Sequence, residues 1–122
     1  MSATVTTGLK RTFTAGAAVS QYRAVTIESD GDAIHATDTS GLLIVGISDR
    51  AAASGEPVTV ALSNAGGTAF VESAEAITVG TAVYATASGK VALVGTTTND
   101  VLVGTALSAS GADGDVIEVL FA

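Results

Sequence analysis

Ala24-Val25-Thr26-Ile27, Asp30-Gly31-Asp32, Leu43-Ile44-Val45-Gly46, Ser54-Gly55-Glu56 and Val58-Thr59-Val60-Ala61-Leu62 follow one another in the first half of this 122-residue chain. The second half repeats the series as Ala82-Val83-Tyr84-Ala85, Ser88-Gly89-Lys90, Val101-Leu102-Val103-Gly104, Asp113-Gly114-Asp115 and Ile117-Glu118-Val119-Leu120-Phe121. Order and spacing agree to within about one residue, an indel that a loop absorbs at small entropic cost. Short β-branched runs divided by Gly, Asp and Asn turns read as strands, and no segment keeps a helical period. The fold class that follows is all-β: a compact β-barrel or β-sandwich of short antiparallel strands built from two related halves, with an extended N-terminal arm. The arm is residues 1–14, the β-domain 15–122, and the half-repeats about 18–63 and 77–122.

Outward from these runs, Thr12-Phe13-Thr14 is the first secure strand segment. Tyr22, Val25 and Ile27 are candidates for a buried face. Residues 42–47 are apolar throughout, long enough for a strand and too short for a typical helix, which predicts a central strand buried on both sides. Residues 49–55 read as a loop with room for one helical turn, and residues 73–76 as one helical turn or a simple loop. Pro57 opens a strand, where a missing N–H is tolerated. Glu118 alternates with Ile117 and Val119 and is expected to face solvent or a partner.

One domain is the natural organisation at this length. Hydrophobic residues make up 48%, mostly Ala and Val, while aromatics are only 4% and Trp is absent. A core of such small side chains is thin, so association with other subunits is expected to add stability. Charged residues are 14%, well below the usual quarter, which suits a surface covered by neighbours. The net charge of −7 argues against binding duplex nucleic acid, which requires clustered Lys and Arg. Four of the five basic residues, Lys10, Arg11, Arg23 and Arg50, lie in the first half. Without Cys there is neither a disulfide framework nor a thiolate metal site. Met1-Ser2-Ala3-Thr4-Val5-Thr6-Thr7 lacks the apolar stretch of a secretory signal, and no apolar run is long enough to span a membrane. Synthesis in the cytoplasm is the expectation.

The search for chemistry finds little. His35 is the lone histidine, which disfavours a triad or a His–His metal site within one chain, and its place in a strand reads as structural. The two Asp-Gly-Asp turns, Asp30 with Asp32 and Asp113 with Asp115, lack the further acids of a calcium loop and read as backbone geometry. Neither a phosphate-binding glycine loop nor a Gly-x-Ser-x-Gly elbow is present. Tyr22, Tyr84, Phe13, Phe70 and Phe121 are too few for a base-stacking platform. The reading is a binding module with no catalytic, cofactor-binding or metal residues, not an enzyme.

Val45-Gly46-Ile47-Ser48 followed by Ala51-Ala52-Ala53-Ser54-Gly55-Glu56-Pro57-Val58-Thr59-Val60-Ala61-Leu62 resembles a stretch of the tailed-phage capsid cement, or decoration, proteins. Gly80-Thr81-Ala82-Val83-Tyr84 with Ser88-Gly89-Lys90-Val91, and Val103-Gly104-Thr105-Ala106-Leu107 with Gly114-Asp115-Val116-Ile117-Glu118-Val119, are similar to further elements of that family. The resemblance covers about residues 18–121. It implies a small β-domain that binds the outer surface of an icosahedral head, commonly as a homotrimer, and reinforces the shell. The implied partner is the major capsid protein, with no nucleic acid, membrane or small-molecule substrate, and the implied location is the virion. The resemblance carries over no catalytic residue. The N-terminal residues match it poorly; Thr4, Val5 and Thr6, which could add a strand to a neighbour, and Lys10 and Arg11 are the candidate partner-binding residues. The alternatives are another phage structural β-module, such as a tail or fibre domain, a carbohydrate-binding module, and a small enzyme with a site at a subunit interface.

Overall fold

The computed structural model describes residues 9–37, 39, 41–65, 67–96, 99 and 101–121. Among the described residues ten strands form two antiparallel five-stranded sheets. The first holds β1 (Lys10–Thr14), β2 (Ala24–Ile27), β3 (Ala33–His35), β4 (Gly46–Ser48) and β5 (Pro57–Leu62), in the order β1-β5-β4-β2-β3. A 3₁₀ turn over Ser63–Ala65 leads to β6 (Thr68–Glu72), β7 (Ala82–Ala85), β8 (Val91–Ala92), β9 (Leu102–Ala106) and β10 (Val116–Phe121). Their order is β6-β10-β9-β7-β8, the same topology strand for strand. The architecture is a sandwich rather than a closed barrel.

The repeat is longer than the sequence reading placed it. Ala15 bridges Ala33 as Ser73 bridges Val91, and Val19 bridges Ala52 as Ile77 bridges Ser110, each residue lying 58 positions from its counterpart. Beyond Ala52 the second half carries one extra residue, so Pro57 corresponds to Val116. β1 therefore has a counterpart in β6, although it falls inside the segment 1–14 read as an arm. Antiparallel register from Lys10 opposite Ala61 to Thr14 opposite Pro57, with Leu62 N–H bonded to the Leu9 carbonyl and Ala15 N–H to the Glu56 carbonyl, makes residues 10–14 the edge strand of the first sheet.

Glycine is required at two matched places. A Cβ on Gly46 would sit on the Ala61 carbonyl oxygen, and one on Gly104 on the Leu120 carbonyl oxygen. Only a residue without a side chain lets β4 approach β5, and β9 approach β10, this closely.

Alternation along the strands gives each sheet two faces. Val25, Val58 and Val60 of the first sheet pack with Ala15, Val19 and Ala33. Its other face presents Ala24, Ile47 and Ala61, which share a buried cluster with Val71, Val83, Ile117 and Val119 of the second half. Hence β4 is buried on both sides, whereas in β9 Leu102 is exposed.

Two local expectations are corrected, for residues 42–47 and for Glu118. Residues 42–47 are not one strand: Leu42 N–H bonds back to the Thr39 carbonyl at 3.1 Å, so the chain turns at the surface and only Gly46–Ser48 enters the sheet. Residues 49–55 are the loop expected of them and take no helical turn, since Ala52 is held in a two-way backbone bridge with Val19 at 2.8 Å. Glu118 does not face solvent. It is 8% exposed, and its Oε2 accepts the Thr68 hydroxyl proton at 2.8 Å across β10 and β6.

Candidate functional site

The partner-binding residues expected from the sequence divide in two. Thr4, Val5 and Thr6 lie outside the described residues. Lys10 and Arg11 open β1, whose residues are exposed except for half-buried Phe13. Among the described residues β1 pairs only with β5, so its second edge offers free backbone donors and acceptors for strand addition.

Lys10 and Arg11 do not form one basic patch. As strand neighbours they project to opposite faces. Lys10 Nζ meets Asp49 Oδ2 at 2.9 Å on one face. On the other, the Arg11 guanidinium lies 4.7 Å over the Phe13 ring, a cation–π arrangement that leaves its charge in solvent.

Below Arg11 the first half is open. Phe13, Ile27, Leu43 and Leu62 line a groove of about 480 Å³. Leu43 is 69% exposed at its rim. This apolar recess lies beside the β1 edge that no second described strand pairs with. The sequence reading missed it because its walls come from four segments that are distant along the chain.

A polar seam joins the halves. Arg23 Nη2 approaches Glu72 Oε2 at 3.5 Å, and its Nη1 donates to the Ser88 carbonyl at 3.0 Å. Lys90 Nζ bridges Glu72 at 3.1 Å and Asp113 at 2.8 Å. These hydrogen bonds, first to Asp113 and then to Glu72, raise the Lys90 pKa, and the Lys90 bond lowers that of Asp113. Beside the seam, the Tyr22 and Phe70 rings meet edge to face at 6.0 Å. Tyr22 holds a positive φ of 62°, where its counterpart is Gly80.

His35 is a hydrogen-bond acceptor in the fold. Ser20 N–H donates to its Nε2 at 2.9 Å, which requires that nitrogen unprotonated. Burial, and then the nearby Arg23 charge, lower its pKa. Glu28, Asp30 and Asp32 bring carboxylate oxygens within 4.8 Å of one another at the β2–β3 turn. Asp30 Oδ1 accepts the Asp32 N–H at 3.0 Å, so at least one of these acids shapes the turn itself. The equivalent hairpin in the second half uses Ser88, Gly89 and Lys90, without that acidity.

The sequence profile of the phage cement protein family matches residues 4–121. No curated protein sequence matches the chain. Among solved structures, the head fiber gp8.5 N base of bacteriophage phi29 superposes with a TM-score of 0.69 over 93% of both chains, at 17% identity. At that identity the likeness concerns the fold. The profile match spans both sheets, the β1 edge and the seam between the halves, and on it the chain belongs to the phage cement protein family.

Proposed function

We propose that this chain binds the outer surface of an icosahedral phage head through the major capsid protein, as a homotrimer, and strengthens the assembled shell. The observation that carries the reading is the family match over residues 4–121. The exposed β1 edge supplies backbone groups for strand addition, and the apolar groove beside it supplies surface that association between copies removes from water. Many weak contacts repeated over a shell sum to high avidity. Binding the assembled state alone stabilises it by mass action. The protein acts without catalysis, cofactor or small-molecule substrate, and it is made in the host cytoplasm before joining the virion.

Purified chain mixed with undecorated, tailless heads tests this. Co-sedimentation that saturates at a fixed ratio to capsid protein is expected, together with a higher temperature of genome release. Failure to bind heads, with binding to tails instead, would transfer the chain to the tail reading. Removing residues 1–8 tests the arm: unchanged occupancy on heads would leave docking to the rest of the domain, its β1 edge included.

A second reading is favoured by the likeness to the phi29 head fiber base. Here the domain is a base seated on the head that carries a further fibre component. Imaging of decorated heads separates the two, since only the fibre reading places extra protein distal to the domain.

A further inference from the structure

The two halves are built alike but do not meet symmetrically. The first half contributes Tyr22, Arg23 and Ala24, and the second contributes Phe70, Glu72 and the β7–β8 turn at Ser88 and Gly89. Glu72 N–H bonds the Tyr22 carbonyl, and Ala24 N–H bonds the Gly89 carbonyl, both at 2.8 Å. A reciprocal contact would set Gly80, Thr81 and Ala82 against Thr12, Thr14 and Gly31. The open space at two of these positions shows that the contact runs one way. A Cβ on Gly89 would lie 2.6 Å from the Ala24 oxygen and 3.2 Å from Arg23 Cβ, whereas a Cβ on its counterpart Gly31, or on Gly80, meets nothing within 4 Å. A junction of unlike faces between like units is heterologous, and it leaves one unused copy of each face at the ends of the pair.

Three exposed leucines, Leu43, Leu102 and Leu120, fall on those unused faces. Ile44 and Ala61 are buried in the cluster that joins the halves, while their counterparts Leu102 and Leu120 are each 46% exposed. On the opposite face, Val101 is 8% exposed and its counterpart Leu43 is 69% exposed. Buried Ala69 corresponds to exposed Arg11, which overhangs the open groove. Each half thus lacks the cover that the internal junction supplies to the other.

We infer that copies of this chain join head to tail: the second half of one copy packs its face bearing Leu102 and Leu120 onto the face bearing Arg11, Phe13 and Leu43 of the next. The contact repeats the geometry that joins the halves within the chain. Thr81 and Thr14 stand where Arg23 and Glu72 pair internally, so this contact is the more apolar of the two and the less sensitive to salt. Repetition of one heterologous junction closes a ring where the rotation permits. For the number of copies the inference rests on the trimer reading above, in which six halves would complete the ring. The pairing of faces does not depend on that number.

The chain has no cysteine, so two can be placed freely. Thr81→Cys and Gly31→Cys are the counterparts of Arg23 and Gly89, whose Cβ positions lie 3.2 Å apart, close to disulfide reach. Asp30→Cys serves as a second variant that avoids the positive φ of 90° at Gly31. Oxidising a mixture of the two single variants is expected to give a dimer linked 31 to 81, and the double variant a ladder of covalent oligomers. Leu120→Asp and Leu43→Asp should each weaken association more than about tenfold, since each buries an unpaired charge. Mixed together they should form one-to-one dimers and nothing larger, because each retains one intact face. Links of 81 to 81 or 31 to 31 would show a two-fold interface and overturn the inference. So would the absence of any 31 to 81 or 30 to 81 link both in solution and on heads, whether the groove is then covered by residues 1–8 of the same chain or by capsid. Head binding by co-sedimentation is scored separately, so failure of the capsid reading leaves the cross-link result standing.

Discussion

Gly104→Ala changes one hydrogen to a methyl at the centre of the second sheet, and two opposing effects fix its consequence. Restricting the unfolded chain favours alanine by about 0.4–1 kcal/mol wherever the folded backbone accepts it. At Gly104 the backbone does not. The new Cβ would overlap the Leu120 carbonyl oxygen and press on Leu120 C at 3.0 Å and Phe121 Cα at 3.3 Å. These are backbone atoms of β10, a strand hydrogen-bonded on both sides, so no side-chain rotation relieves the overlap. Overpacking of this kind costs roughly 1–3 kcal/mol, and a rigid main-chain obstacle belongs at the upper end. The net expectation is a loss of about 2–3 kcal/mol, worth roughly 8–12 °C in Tm for a chain of this size. Gly111→Ala is the control, because its Cβ meets only Asp115 Oδ2 at an ordinary 3.7 Å. It should be neutral or stabilising by up to about 1 kcal/mol. Urea unfolding followed by far-ultraviolet circular dichroism reads both. A Gly104→Ala midpoint equal to that of wild type would refute the close approach of β9 to β10 and, with it, the matched role given to Gly46.

Thr68→Val removes the hydroxyl that donates to Glu118 Oε2 and should cost about 1–3 kcal/mol in urea unfolding, since a carboxylate that is 8% exposed loses a donor. Arg23→Ala breaks the contacts to Glu72 and to the Ser88 carbonyl, and a loss of about 1–3 kcal/mol is expected by the same assay. The same variant should bring the His35 titration closer to the ordinary value of 6.5, readable by NMR, because Arg23 is one cause of its depression. The pH dependence follows from that direction. With the folded pKa below 6.5, the unfolded chain binds the proton more readily, so His35 lowers stability as pH falls beneath 6.5 and down through its folded pKa, and leaves it unaffected above. His35→Gln should flatten the stability profile in that acid window, as measured by urea midpoints at a series of pH values.

The parts of the fold legible in the sequence are those that backbone geometry forces. Gly31 and Gly89 share a turn with positive φ, Gly46 and Gly104 share a close strand approach, and both pairs lie in register in the repeated text. The equivalence of β1 and β6 was not legible. Lys10-Arg11-Thr12-Phe13-Thr14 is an exposed edge, while Thr68-Ala69-Phe70-Val71-Glu72 is packed against the first half, so selection for solvent and selection for burial left the two with little in common. Glu118 was misplaced for a related reason: alternation along β10 correctly turned it away from Val119, but a face turned away from one core can still be covered by a neighbouring strand. The groove under Arg11 arises from the packing of β1, β2, the loop before β4, and β5, and no single run of sequence contains it.

The most direct measurement is electron cryomicroscopy of phage heads incubated with the purified chain. A capsid-binding role requires added density on the outer surface of the shell that fits the two-sheet domain, with the β1 edge of the first half against protein, and a higher temperature of genome release than bare heads show. Heads that remain bare at saturating protein, or carry the domain without any gain in stability, would contradict it.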